Sequence, residues 1–208
     1  EACKRARVTL AGGETASLPG IVNELDLSGT ALGWLPKGAE ITGASLKEGD
    51  VLIGLPSSGV HSNGYSLVRN VVSHCGADWS DDAPFSVDES RIERFSQGSI
   101  TLGEIFLNPT RIYCDPIVDL IQDGPCVSSS IHAICHVTGG GLSNLLRLHD
   151  SLGWEINNPL PVLPEFNWIQ ENGNVSHREM YRTFNMGCGM IIAVDAVSYT
   201  HLTLPTNC

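Results

Sequence analysis

The sequence is poor in basic residues and in long apolar runs. Its 208 residues include 12 Lys and Arg against 23 Asp and Glu, which gives a formal net charge of −11. Because a polyanion is bound by clustered Lys and Arg, we expect no nucleic-acid partner. No apolar run approaches the length of a transmembrane helix, so we expect no membrane partner either. A small phosphorylated ligand remains compatible with this charge, since backbone amides and a divalent metal can hold phosphate.

The seven cysteines form no Cys-x-x-Cys pair, which argues against a zinc ribbon and a thioredoxin-type redox site. The sequence also lacks a Gly-x-Ser-x-Gly nucleophile motif and a Walker A lysine motif. Nothing in it resembles a secretory signal peptide. Scattered cysteines without such a signal are typical of reduced thiols, and we therefore expect a cytoplasmic protein.

The most informative stretch is residues 57–69, Ser-Ser-Gly-Val-His-Ser-Asn-Gly-Tyr-Ser-Leu-Val-Arg. The apolar run at 51–55 before it predicts a buried strand, and apolar residues at helical spacing follow it. A strand-to-helix turn presents backbone N–H groups and the positive end of a helix dipole, which suits a phosphate. We expect Ser62 or Asn63 to cap the helix. The alternative is an ordinary turn, but two serines, a histidine and an asparagine on one turn favour a functional site.

Alternating strands and helices over residues 45–196 predict an α/β or α+β domain. Apolar runs predict strands at 131–137 and 190–194, and a leucine-rich helix is expected at 142–148. Residues 1–44 read as the end of a preceding domain, with short strands at 8–11 and 25–33. We expect the stretch at 76–100 to be a surface loop without chemistry.

Three further groups could carry chemistry. Thr138, Gly139, Gly140 and Gly141 follow a predicted strand, and an anion cradle and a tight packing turn are equally good interpretations of them. Arg111 offers a guanidinium for a phosphate or carboxylate, although a lone Arg is more often a structural ion pair. His132 and His136 lie about 13 Å apart on a strand, too far to share one zinc ion, so only His136 stays a candidate pocket residue.

Residues 12–15, Gly-Gly-Glu-Thr, join a tight turn to a carboxylate and a hydroxyl. Oxygen ligands beside exposed amides are what Mg²⁺ bound to nucleotide phosphates requires. By itself such a short match is more often an ordinary turn.

Six short blocks occur in order: Gly-Gly-Glu-Thr-Ala at 12–16, Asp-Leu-Ser-Gly at 26–29, the stretch at 57–69, Pro-Thr-Arg-Ile-Tyr at 109–113, His-Val-Thr-Gly-Gly-Gly at 136–141 and Glu-Met-Tyr-Arg-Thr-Phe-Asn at 179–185. Together they resemble the aminoimidazole ribonucleotide synthetase family, the ATP-dependent phosphoribosylformylglycinamidine cyclo-ligases of purine synthesis. The resemblance extends from about residue 10 to residue 194. It implies a two-domain fold of which the first domain is only partly present: residues 1–44 would end an ATP-binding and dimerisation domain, and residues 45–196 would form the second domain.

The resemblance also implies an activity. ATP would activate the formyl-amide oxygen of formylglycinamidine ribonucleotide, and a substrate nitrogen would then close the imidazole ring to give 5-aminoimidazole ribonucleotide, ADP and phosphate. It implies a homodimer with ATP and Mg²⁺ as cofactors. The residues assigned on this basis are His61 and Asn63 as catalytic, Gly12, Gly13, Glu14 and Thr15 as nucleotide-binding with Glu14 on the metal, and Ser57, Ser58, Gly59, Ser62, Arg111, Thr138, Gly139 and Gly140 as substrate-binding.

Two alternatives stay open. One is a sister ATP-dependent enzyme, such as formylglycinamidine ribonucleotide synthetase or a selenophosphate synthetase-like protein, and the blocks at 109–113 and 179–185 favour the cyclo-ligase over these. The other is a non-catalytic nucleotide-binding module. Because the family's acidic metal motif would precede residue 1, we expect the chain alone to be inactive, and the upstream sequence distinguishes an enzyme from a module.

We hypothesise that the last twelve residues have a different origin from the rest of the chain. Residues 197–206 can be encoded by one reading frame of a transposon adapter used in DNA library preparation, and we extend the hypothesis to residues 197–208. We therefore expect this segment to be sequencing read-through, so that His201 and Cys208 carry no functional information. An uninterrupted natural frame at the source locus would contradict this.

Overall fold

A computed structural model describes residues 1–94, 97–123 and 128–203. Cys126 and the last five residues of the expected adapter segment lie outside the described residues. The chain divides into two compact units, Glu1–Glu40 and Ile41–Cys208. Each unit is described by itself below.

The first unit contains one short helix, α1 (Ala2–Arg5), and no buried residue. The predicted strands at 8–11 and 25–33 are wrong, since both stretches lack regular structure. Leu25, Leu27 and Leu32 are largely exposed. A strand needs a hydrogen-bonded neighbour, and these residues find none within their own unit.

The second unit is built on a three-stranded antiparallel sheet of β1 (Val51–Pro56), β2 (Ile131–His136) and β3 (Cys188–Val194). The spatial order is β1-β3-β2, so the last strand is central. β3 is buried over nearly its whole length, which agrees with its uninterrupted apolar sequence. The three predicted strands and the mixed α/β class are thus confirmed.

A β-bulge interrupts the pairing of β2 with β3. Ile131 pairs with Val194 and Ala133 with Ala193, so His132 is the extra residue. Ile131 therefore packs with Ile192 and Val194, whereas Ala133 packs on the other face of the sheet. Ile131 and Ala133 would share one face of a regular strand, but the bulge shifts the alternation by one residue and places them on opposite faces.

Helices cover both faces of the sheet and extend beyond it. The remaining helices are α2 (Tyr65–His74), α3 (Leu102–Phe106), α4 (Cys114–Asp123), α5 (Pro164–Asn172), α6 (His177–Thr183) and α7 (Ala196–Thr203), with 3₁₀ helices at Glu89–Arg91, Ser128–Ser130 and Gly141–Arg147. No helix in the described ranges is long and apolar enough to cross a membrane.

The expected α-helix at 142–148 is a 3₁₀ helix instead. Gly141 N–H donates to the carbonyl of Thr138, and Ser143 N–H donates to that of Gly140, both three residues back. The side chain of Asn144 folds back onto Thr138 and Gly139. These bonds account for the tighter 3₁₀ turn, because the side chain of Asn144 pairs with the backbone groups of Thr138 and Gly139 just before the helix.

The largest apolar cluster fixes the start of α2. Val68 and Val72 of α2 pack against Phe166 and Phe184 from α5 and the end of α6. A side chain at Gly64 would overlap the ring of Phe184, and Gly64 has a φ of +80°. Gly64 is required here for both reasons, and this contact sets where the turn before α2 lies.

Candidate functional site

The turn from Ser57 to Gly64 joins β1 to α2. Gly64 is the N-cap of α2, and no side chain caps the helix. The prediction that Ser62 or Asn63 caps it is therefore wrong, because the left-handed conformation of Gly64 turns both side chains away from the first helical N–H groups. The N-terminus of α2 is left as an uncapped set of backbone donors.

Three predicted substrate-binding residues hold this turn in place. The Ser57 hydroxyl donates to Asn185 Oδ1 at 2.9 Å, and the Ser58 hydroxyl donates to the carbonyl of Pro109 at 2.8 Å. Asn185 Nδ2 also donates to the carbonyl of Gly59 at 2.8 Å. Ser57 and Ser58 are buried, so their hydroxyls bind the protein itself and only indirectly shape a ligand site.

His61 sits at the centre of the turn and is 3% exposed. Its φ of +58° is uncommon for a residue with a side chain, although His is among those that tolerate it. The backbone N–H of Ser58 donates to His61 Nε2 at 3.1 Å. Because Nε2 accepts this bond, the neutral ring carries its proton on Nδ1. Nδ1 is buried and has no hydrogen-bond partner among the described residues.

Two other rings surround His61. Its ring centroid lies 6.1 Å from that of Tyr113 and 6.5 Å from that of His136, which are 5.7 Å from each other. Burial, followed by the charges of His136 and Arg111, lowers the pKa of His61 from 6.5 to about 4. Burial also lowers the pKa of His136 and raises that of Tyr113 to about 12. His61 and Tyr113 are therefore both neutral at pH 7.

The outer side of the turn is polar and more exposed. The hydroxyl oxygens of Ser62 and Thr110 lie 2.9 Å apart. Gly139 approaches Asn63 so closely that a Cβ atom on the glycine would lie 3.1 Å from Asn63 Oδ1. Arg111 is exposed and donates to the carbonyl of Pro56 at 3.3 Å. The fold thus brings together the predicted residues of the blocks at 57–69, 109–113 and 136–141.

The glycines after β2 allow close packing against α6 and a close approach to Asn63. Gly140 has a φ of +102°, and a side chain on Gly141 would overlap backbone carbonyls of Tyr181 and Phe184 in α6 and at its end. The packing interpretation therefore holds for Gly141. Gly139, in contrast, is the residue that lets the loop approach Asn63 at the site.

The chain can now be compared with known proteins. Residues 47–202 match the family model described as AIR synthase related protein, C-terminal domain. The chain belongs to the AIR synthase-related family. Curated relatives named phosphoribosylformylglycinamidine cyclo-ligase are 42% identical over 192 residues in Methanobrevibacter smithii, 42% over 187 in Methanococcoides burtonii and 41% over 195 in Methanocaldococcus jannaschii. These alignments cover 90–94% of this chain and 51–52% of each relative.

The AIR synthase-related chain thus spans about half the length of the curated relatives it matches. The matched region contains β1, the site turn and the glycines at 139–141. It also includes residues 197–202 of the expected adapter segment.

The predicted nucleotide and metal residues lie in the first unit of this AIR synthase-related chain. Gly12, Gly13, Glu14 and Thr15 are exposed and have no regular structure. A side chain at either glycine would meet no atom within 4 Å, so no cradle is formed around them. Within the described ranges, no group of three or more His, Cys, Asp or Glu side chains could hold a metal ion. Glu14 and its neighbours thus do not fit Mg²⁺ by themselves.

Sequence reasoning missed several residues that build the site of this family member. Arg91 lies in the stretch expected to be a surface loop without chemistry, yet it bonds Ser58 and Glu165. Asn185, just beyond the end of α6, holds the site turn. No local pattern marks Arg91, because its partners are 33 and 74 residues away along the chain.

Proposed function

We propose that this chain is part of an ATP-dependent ligase that closes the imidazole ring of formylglycinamidine ribonucleotide. The products would be 5-aminoimidazole ribonucleotide, ADP and phosphate. The names of the curated relatives support this reaction. The alignments with these relatives cover most of this chain at about 40% identity. The homodimer, ATP and Mg²⁺ implied by the resemblance belong to the same proposal.

The observation that carries the proposal is the composition of the polar face at the start of α2. The helix has ten residues and no side-chain cap, so its first N–H groups and its dipole favour an anion. Ser62, Thr110 and Arg111 add two hydroxyls and a guanidinium at the same face. This set suits the phosphate of a ribonucleotide substrate, even though the whole chain is acidic.

His61 would act in this site as a neutral hydrogen-bond donor. Its Nε2 accepts from the Ser58 N–H, and its pKa of about 4 keeps the ring uncharged at pH 7. Nδ1–H is buried in the chain as described, so a substrate oxygen or nitrogen could satisfy it only after neighbouring side chains move to open access. Because a buried donor without a partner costs about 1–3 kcal/mol, pairing it with substrate would stabilise the complex. This geometry favours a charge-stabilising role over that of a general base.

Ring closure needs a leaving group at the amide carbon. ATP would transfer its terminal phosphoryl group to the amide oxygen, and as the C–N bond forms the C–O bond would break, so that the oxygen leaves as phosphate and the attacking nitrogen loses a proton. The remaining contribution of the protein is to hold the nitrogen and carbon together. Asn63, next to Gly139, would orient the substrate through its amide. The described residues do not form a metal site by themselves.

A kinetic assay of the full-length protein that contains this chain tests the proposal. The measured quantity is ATP-dependent formation of 5-aminoimidazole ribonucleotide from formylglycinamidine ribonucleotide. Arg111→Gln should raise the KM for the ribonucleotide about 10- to 100-fold, because a charge-assisted bond to phosphate is lost. Arg178→Gln is the matched control, since Arg178 is exposed on α6, away from the turn.

The outcomes separate clearly. Absence of product with the unaltered protein would refute the reaction itself. Product formation with equal KM values for the two arginine variants would keep the reaction but remove the anion site from the start of α2.

A further inference from the structure

We infer that the buried pair of Arg91 and Glu165 is a positioning device that holds the Ser58 peptide and thereby selects the ring proton and orientation of His61. Arg91 belongs to the 3₁₀ helix Glu89–Arg91, and Glu165 to the first turn of α5. Neither residue is among the groups assigned above to substrate, nucleotide or metal.

The pair itself is geometrically well defined. Arg91 donates from both terminal nitrogens to the two oxygens of Glu165, at 2.9 and 2.7 Å. Glu165 is fully buried, and the side chain of Arg91 is 9% exposed. A planar guanidinium facing a carboxylate in this way has little freedom to rotate, so the third contact of Arg91 is held in a fixed direction.

That third contact is to the site turn. Arg91 Nη1 also donates to the carbonyl oxygen of Ser58 at 3.0 Å. Asn108 Nδ2 donates to the same oxygen at 2.7 Å and to the carbonyl of Arg91 at 2.9 Å. The Ser58 carbonyl thus receives two side-chain donors, one of them charged, inside the protein. Such bonds are stronger than those to solvent-exposed groups, so the peptide between Ser58 and Gly59 is firmly oriented. The N–H of Ser58 belongs to the preceding peptide, which joins this one at the Cα atom of Ser58, so a fixed carbonyl limits how far that N–H can turn.

The orientation of Ser58 reaches His61 through one hydrogen bond. The N–H of Ser58 donates to His61 Nε2, and this bond requires the ring proton to lie on Nδ1. His61 has a left-handed φ of +58°, and its carbonyl accepts from the hydroxyl of Tyr65 at 3.0 Å. A residue in this backbone region persists only where its surroundings determine it. Release of the Ser58 carbonyl would therefore allow rotation at the Cα atom of Ser58 and loosen the N–H that holds the ring of His61.

The same network explains why a buried ion pair lies beside the turn. An arginine–carboxylate pair is weak support for overall stability, since apolar residues of similar size often replace it without loss. The direct bond from the pair to Ser58 gives it a local effect that apolar residues could not supply. The role of the pair in catalysis rests on the proposed function, whereas its effect on the His61 ring does not.

The test measures the ring directly in the full-length protein that contains this chain. Histidine labelled with ¹⁵N reports by NMR which ring nitrogen carries the proton, and the His61→Gln variant assigns the signal. The unaltered protein should show His61 with the proton on Nδ1. Arg91→Lys keeps the charge but cannot span Glu165 and Ser58 together, and the double variant Arg91→Met, Glu165→Leu removes the pair without leaving a lone buried charge. Arg94→Lys is the matched control, since Arg94 lies near Glu89 and Glu104 instead.

We expect both pair variants to show a mixture of the two ring tautomers, while Arg94→Lys keeps the pattern of the unaltered protein. In the cyclisation assay, kcat should fall about 10- to 100-fold with little change in KM, because the reacting groups are misplaced rather than unbound. Folded pair variants with an unchanged His61 signal and unchanged kcat would overturn the proposal. So would failure of both pair variants to fold, since the pair would then serve the whole fold. A tautomer change in the pair variants, together with no product from the unaltered protein, would refute the proposed function but keep the positioning role.

Discussion

Replacement of Gly189 by alanine should disturb the ring cluster at the site from within the sheet. Gly189 is buried near the start of β3. A Cβ atom there would overlap the hydroxyl of Tyr113 and lie 2.7 Å from His61 Cε1. Neither ring can simply move aside, because the Tyr113 hydroxyl donates to the carbonyl of Pro56 at 2.8 Å and His61 is held by Ser58.

The cost has two parts. Inserting a methyl group into a packed site costs about 1–3 kcal/mol in strain. If the Tyr113 ring is pushed away, its buried hydroxyl loses its bond to Pro56, which adds about 1–3 kcal/mol. We therefore expect Gly189→Ala to lower the free energy of unfolding by about 2–6 kcal/mol. Such a loss is a large part of the stability of an ordinary domain.

Urea unfolding of the chain, followed by circular dichroism, measures this change. The matched control is Gly153→Ala, because a Cβ atom at Gly153 would meet nothing within 4 Å. The control should change the unfolding free energy by less than about 1 kcal/mol. Equal stability of the two variants would show that Tyr113 and His61 are not packed against β3 as described, and would refute the reasoning.

Two further predictions concern the same turn and the glycine loop. The pKa of His61 is held near 4 in the folded chain, below the ordinary 6.5. As the pH drops, the unfolded chain therefore binds the proton before the folded chain does. The free energy of unfolding should fall by about 3 kcal/mol between pH 6.5 and pH 4. His61→Gln should lose that part of the pH dependence in urea titrations, and an unchanged slope would argue against a buried neutral ring. Asn144→Ala should cost about 1–3 kcal/mol, because two part-buried hydrogen bonds, to Thr138 N–H and to Gly139 C=O, are lost. Asn172→Ala, which removes an exposed amide, should cost less than about 0.5 kcal/mol, and equal losses for the two variants would contradict the role of Asn144.

The elements that could be predicted are those whose signal is local. Three apolar runs became the three strands of the sheet, because strands of this content bury their side chains wherever they pair. Ser176 caps α6 by accepting from the N–H of Glu179, as the spacing of the two residues predicts. The strand, turn and helix around His61 could likewise be predicted from the local sequence.

The errors occur where a distant partner decides the local structure. Ser62 and Asn63 are good capping residues by type, yet Gly64 takes the N-cap because the ring of Phe184, 120 residues away, requires a glycine there. The bulge at His132 is likewise invisible in the alternation of β2, and it moves Ile131 to the other face of the sheet. The apolar residues at 25–33 have the pattern of a strand but no neighbour to pair with in their own unit.

The amino-acid sequence by itself determined the strands, the chemistry of the turn at 57–64 and the resemblance to the AIR synthase-related family, since each depends on residues close together along the chain. Only the tertiary structure decided which nitrogen of His61 carries the proton, and it did so through Ser58. It also placed Arg91 and Glu165 behind that peptide, 33 and 107 residues from Ser58 along the chain. Hydrogen bonds of this kind depend on distance and direction in space, and the order of residues along a chain contains neither.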